Sequence, residues 1–166
     1  MLAKQAQGRS YIVDTKTVFH MAFTGTRPVK GMRKMIANMT PVLQTGTFVF
    51  CSVIHNHDVT DAMKVARGTF IEDEGLSLIL PKSEADRLGL SYETPMKQIT
   101  LMVYSSVEGV GLTAAVAKAL AKEKIPANVV AATQHDHVFV PAGMADTAVE
   151  TLRRLQEKAR NDLENV

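Results

Sequence analysis

Apolar residues cluster in short runs along the chain, and the spacing within each run sets the element expected. From Thr47 to Ile54, Phe48, Val49, Phe50, Cys51 and Val53 are β-formers bounded by Gly46 and the polar His55-Asn56-His57, which predicts a strand. Asp58 then has the character of an N-cap. Val59, Ala62, Met63 and Ala66 follow at helical spacing up to Gly68. Gly68–Asp73 and Leu76–Leu80 read as two more strands around a tight turn at Glu74-Gly75, and Ser83–Leu88 as a short helix stopped by Gly89. After the polar junction of residues 91–96 the order restarts. Lys97–Ser105 is apolar on both faces, as a central strand should be. Leu112, Ala115, Val116, Ala119 and Leu120 form a narrow helical stripe, followed by Pro126. Asn128–Ala132 and Asp136–Val140 read as strands. A last helix is expected from about Met144 to Ala159, with Ala148, Leu152, Leu155 and Ala159 inward.

The second half therefore reads β-α-β-β-α, and the first half repeats that order in shorter form with negligible identity. Helices recurring among hairpin-connected strands predict an α+β fold with antiparallel sheets, of the split βαβ type. The expected division is an N-terminal extension at 1–34, a first, abbreviated unit at 35–94 and a second unit at 95–166.

Composition narrows the function. With 46% hydrophobic and 22% charged residues the chain can bury a core, and no apolar run approaches the ~20 residues of a membrane span. A single cysteine, Cys51, rules out an intrachain disulfide and a multi-cysteine zinc site, and fits a reducing, cytoplasmic setting. In its apolar strand Cys51 reads as a core thiol. The net charge of +2 is uneven. Residues 1–34 hold seven Lys/Arg and one acid, Asp14, whereas the remainder holds 12 Lys/Arg and 16 Asp/Glu, a net of −4. The patterned part is thus mildly acidic, lacks Trp and has 5% aromatics, so nucleic acid is not expected as a partner. Residues 1–34 show no sustained periodicity. They read as a disordered basic arm or as the product of a start codon assigned upstream of Met32 or Met35; a transit peptide is the third reading, against which the lack of a clear amphipathic Arg-rich helix counts.

Three stretches carry candidate chemistry. Ser105-Ser106-Val107-Glu108-Gly109-Val110-Gly111-Leu112-Thr113 joins a strand to a helix. Such a loop presents unpaired N–H groups and a partial positive charge to a carboxylate, and Gly109 and Gly111 permit close approach. Its Ser105-x-x-Glu108 spacing is also that of a capping box, which needs no ligand. His135 and His137 share a strand face, and His55-x-His57 offers two more imidazoles. Two same-face ligands are too few for a structural zinc site, so no metal and no cofactor is expected. Glu72-Asp73-Glu74-Gly75 is an acidic turn that reads first as a solvated hairpin tip, with a cation site or a partner for a ligand's amino group as the alternatives. No nucleophile elbow, P-loop or zincin motif occurs.

The blocks Ile99-Thr100-Leu101 with Val103–Ser106, Glu108–Val116 (EGVGLTAAV), Asn128–Ala131 and His135–Pro141 (HDHVFVP) resemble the small tandem ACT-domain family, formerly catalogued as a domain of unknown function. Gly46–Cys51 and Thr69–Leu76 resemble it in the first half, and the likeness spans roughly residues 36–156. The resemblance implies two side-by-side ferredoxin-like (ACT, βαββαβ-type) units. It implies a non-enzymatic regulatory module sensing an amino acid or related small metabolite, compatible with a homodimer. It also implies a ligand site at Ser105, Ser106, Val107, Glu108, Val110, Gly111, Leu112 and Thr113, joined by Asn128 and Val129. Glu108 or an acid of 72–74 would meet the ligand's ammonium group. The competing reading is an interaction or dimerisation module without a small ligand, extending a sheet through its edges.

Overall fold

The computed structural model describes residues 31–54, 59–103 and 110–165. Its elements run α1 (Met32–Asn38), β1 (Pro41–Leu43), β2 (Phe48–Val53), α2 (Thr60–Val65), β3 (Gly68–Glu72), β4 (Gly75–Pro81), α3 (Lys82–Arg87), β5 (Met96–Leu101), α4 (Leu112–Lys122), β6 (Asn128–Ala131), β7 (Asp136–Pro141), a 3-10 turn (Ala142–Met144) and α5 (Ala145–Glu164). The strands form one antiparallel sheet in the order β3-β4-β2-β5-β7-β6, with β1 also on β5.

β5 is central, as its two apolar faces predict. β7 covers one edge along its whole length. The other edge is divided: β1 pairs with Leu101–Ile99 and β2 touches only through Phe48 opposite Met96. The four strands β1-β5-β7-β6 complete a βαββαβ-type sheet around the second half, whose fourth strand thus comes from the N-terminal side. In the first half β5 takes the corresponding place beside β2. Residues 35–43, which the sequence pattern places in the first unit, pack with the second: Met35, Ile36, Ala37 and Met39 share a core with Ile99, Leu101, Val116, Leu120, Val138 and Leu152. The first half has its own smaller core of Val49, Cys51, Val53, Ala62, Leu78, Leu80 and Ala85.

Strand alternation sets the two faces. Val49 and Cys51 lie opposite Leu80 and Leu78, and Ile99 lies opposite Val138; all belong to the helix-covered cores. Their neighbours Phe48, Phe50, Gln98, Thr100, His137 and Phe139 therefore occupy the other face. There Phe139 meets Phe48 and Phe50 edge-to-face at 6.0 and 5.4 Å between centroids, tying the halves together across β5.

Several boundaries differ from expectation for local reasons. β5 ends at Leu101 rather than Ser105; Val103 is buried beyond it, and residues 104–109 lie outside the described set. The hairpin turn is Asp73-Glu74, with Glu72 opposite Gly75, one residue earlier than expected. A side chain at Gly75 would strike the Val53 carbonyl oxygen, which fixes that residue type. Helix α2 caps on Val59 and is only six residues long, so Met63, expected inward, is exposed while Ala62 is buried. Asp58 lies outside the described residues. Helix α5 runs five residues past Ala159.

Candidate functional site

The described part of the expected ligand loop is Val110–Thr113, at the start of α4. Gly111 is the N-cap with φ of +102°, a left-handed conformation that favours glycine, and no side chain caps the helix. Ala115 N–H donates to Gly111 O at 3.0 Å. This is the helix's first internal bond, so the N–H groups of Leu112, Thr113 and Ala114 have no partner within it. The capping-box alternative is displaced, because Ser105 and Glu108 precede the N-cap by several residues. Ser105, Ser106, Val107 and Glu108 lie outside the described residues. Val110 is 85% exposed and Thr113 is exposed, whereas Leu112 points into the core.

A residue that the pattern did not connect with this loop completes this corner. A Cβ built on Gly111 would lie 2.7 Å from Met32 Sδ, so α1 closes over the turn before α4. Nothing in the local sequence signals the contact: Met32 is 79 positions away and opens a helix whose Gly31 N-cap makes no side-chain hydrogen bond.

The other expected contacts fall elsewhere. Asn128 pairs with Phe139, which pairs with Gln98, so it lies level with the beginning of β5 on the face opposite the helices. The start of α4 lies beyond β5's far end, on the helix face; the structure does not bring Asn128 to it. Val129 pairs with Val138 and packs against the core. Glu72–Glu74 sit at the Val53 end of β2. Since β2 and β5 are antiparallel and meet only at their starts, that end points away from α4's N-terminus. An acid of that turn cannot meet the ammonium group of a ligand held at Gly111. Between the strands beside the turn, the Ser77 hydroxyl donates to Glu72.

The histidines of the HDH stretch are engaged by protein groups. His137 Nδ1 is 3.1 Å from Thr100 Oγ1 and 3.0 Å from Gln98 Nε2, and His135 Nδ1 is 3.3 Å from Val103 O. Burial, then the nearby His135 and Arg67, push the His137 pKa below its ordinary value. Burial raises Asp136, with His135 opposing. Gln98 Oε1 is buried without a partner among the described residues. No metal-holding cluster of His, Cys, Asp or Glu occurs among the described residues; His55 and His57 lie outside them. Cys51 is buried, and desolvation raises its pKa, the condition of an inert core thiol.

Two split βαβ units sharing one antiparallel sheet, with an uncapped strand–helix turn, define a tandem ferredoxin-like α+β protein. Family comparison agrees: ACT-domain models match residues 28–97 and 93–154. The chain belongs to the ACT-domain family and carries two such domains in tandem. ACT domains are regulatory modules that bind small ligands, and this chain is of that general kind.

Among solved structures, it is similar to a protein of unknown function from Vibrio cholerae described as a possible transport protein. Identity is 38%, covering 75% of this chain and 94% of that one, with a TM-score of 0.67. A protein from Agrobacterium tumefaciens follows at 15% identity, 71% and 89% coverage and a TM-score of 0.59. The regulatory subunit of aspartate kinase from Thermus thermophilus, in its ligand-free form, matches at 10% identity, 71% and 96% coverage and a TM-score of 0.53. The last two likenesses are of fold. Comparison with curated proteins gives no match. No helix among the described residues is long and apolar enough to cross a membrane.

Proposed function

We propose that the chain is a non-enzymatic cytoplasmic sensor of an amino acid, whose carboxylate is received by the start of α4. The observation that carries this reading is the uncapped turn at Gly111. The N–H groups of Leu112, Thr113 and Ala114 are unpaired within the helix, Gly111 has φ of +102°, and Val110 and Thr113 are exposed beside it. The aspartate kinase regulatory subunit among its structural neighbours supports the amino-acid class. Met32 closes one side of the turn, so a bound ligand would bear on α1 and through it on the second core. That contact gives the site a mechanical link to the rest of the fold.

The test is calorimetric titration of the full chain with each amino acid, followed by two variants. Thr113→Pro removes one N–H in the first helical turn, where proline is tolerated. It should weaken binding by roughly tenfold, about 1.4 kcal/mol. Asn128→Ala, on the other face, should leave affinity unchanged. If no amino acid binds, or if Asn128→Ala alone abolishes binding, the assignment is wrong.

The second reading, an interaction module without a small ligand, rests on the sheet edge. β3 is an edge strand on which Phe70 is 69% and Ile71 80% exposed, on opposite faces. Sedimentation equilibrium of wild type and Phe70→Lys would test it. A dimer lost in the variant supports this reading, and a monomer at all concentrations removes it.

A further inference from the structure

Away from α4, where the chain crosses from β1 to β2, lies an open groove of about 320 Å³. It is lined by Thr45, Thr47, Phe48, Arg67, Lys82 and Ser83, among others. None of its lining residues is acidic. Its charges are unequal. Lys82 Nζ contacts Asp86 at 2.7 Å and lies over the Tyr92 ring, so its charge is answered. Arg67 has no carboxylate partner among the described residues. Its guanidinium lies over the Phe48 ring, 5.2 Å from the centroid, which orients the planar group, and its N–H donors have no hydrogen-bond partner among the described residues. Lys97 Nζ donates to Gly46 O at 2.8 Å and brings a third cation behind the same loop.

The loop itself is fixed. Gly46 has φ of +93°, Thr47 O accepts from Lys82 N–H at 2.8 Å, and Arg67 N–H donates to Ile79 O at 2.7 Å. A cation pinned on a ring, in a pre-formed concavity with three hydroxyls and no acid, suits a group that accepts two parallel N–H bonds. We infer that this groove is a second small-ligand site, for an organic carboxylate, with Arg67 as its bidentate anchor and the Thr45, Thr47 and Ser83 hydroxyls as orienting donors. It sits near Met96, at the start of β5, and α4's N-terminus lies past the other end, about 17 Å away by strand length. The two sites are therefore separate, and either can fail alone.

The experiment is amide-resolved NMR titration of the full chain with succinate at constant ionic strength, with inorganic phosphate as the parallel probe. Succinate should give saturable shifts at Thr45–Phe48 and Arg67, weakened at least tenfold by Arg67→Gln. Arg67→Lys keeps the charge but loses the fork, so it should also weaken binding. Ser83→Ala should cost a few-fold in a chain with an otherwise unchanged spectrum. Linear, unsaturating shifts, equal affinity in Arg67→Gln, or phosphate binding as tightly as succinate would overturn the assignment. Shifts confined to Val110–Thr113 would overturn it too, while leaving the α4 site standing.

Discussion

The two halves run the same element order at different cost. In the second, α4 has 11 residues and α5 has 20, and with α1 they bury one extended core of aliphatic side chains. In the first, α2 and α3 have six residues each and offer little more than Ala62 and Ala85 to the sheet. Six residues make under two turns, too short to persist without tertiary support. The first half obtains support from its neighbour: β5 beside β2, and Phe139 against Phe48 and Phe50. The second half in turn takes α1 and β1 from the N-terminal side. Each half therefore finishes the other's sheet or core, and the protein should unfold as one cooperative unit.

The largest expected effect breaks the symmetry directly. Leu152 is fully buried in the larger core, and Leu152→Ala should destabilise by about 2–5 kcal/mol. Leu88, only partly buried against the smaller core, should cost about 1 kcal/mol as Leu88→Ala. Urea unfolding monitored by circular dichroism measures both. Equal costs, or two separate transitions in wild type, would show that the halves are neither unequal nor coupled in this way.

Next in size is Gly111→Val, which probes the N-terminal contribution to the second half. The left-handed backbone alone should cost about 1–2 kcal/mol for a residue with a Cβ, and the new side chain must displace Met32. Gly89→Val is the control: Gly89 has φ of +66° but nothing within 4 Å of an added Cβ. The excess of the first over the second reports the Met32 contact. If Met32→Ala does not reduce that excess, α1 is not what closes the turn. The same contact bears on the extension. Truncation to residue 35 removes the first half of α1, so a chain beginning at Met35 should lose more stability than one beginning at Gly31.

Why α1 and β1 escaped the sequence reading is physical. Met35, Ile36 and Ala37 are buried in succession, and Met39 after them, rather than along one helical stripe, because α1 is wedged against both α5 and α4. Arg160 Nε donates to Ala37 O at 2.8 Å from 123 residues away, a long-range anchor that no local pattern carries. β1 has three residues, of which only Pro41 is buried. By contrast, the stripe of α4 and the alternation of β7 have strong periods, and their positions were legible to within a residue or so. The site was legible only as local chemistry. The glycine turn at Gly111 lies where its motif placed it, whereas Asn128 and Glu72–Glu74 were joined to it on an incorrect picture of how the halves meet. The antiparallel contact of β2 and β5 through a single residue pair sends their far ends apart, and register of that kind is set by tertiary packing.

The smallest expected effect is a pH dependence located at β5 and β7. His137 is held below its ordinary pKa of 6.5, first by burial and then by His135 and Arg67. The unfolded chain therefore binds a proton at a higher pH than the folded one. Through this group, stability is fully present above pH 6.5 and falls as pH drops below it toward the depressed folded value. Asp136 on the adjoining position works in the opposite sense. Its folded pKa is raised by burial above the ordinary 3.8, so its contribution is fully present at pH values below 3.8 and is lost as pH rises from there through the folded value. Between pH 7.5 and 5.5 the histidine should govern, with the melting temperature falling on acidification. His137→Asn, which keeps a hydrogen-bonding side chain beside Thr100 and Gln98 but cannot titrate, should flatten that fall even if its absolute stability is lower. An equal fall in wild type and variant would place the titrating group elsewhere.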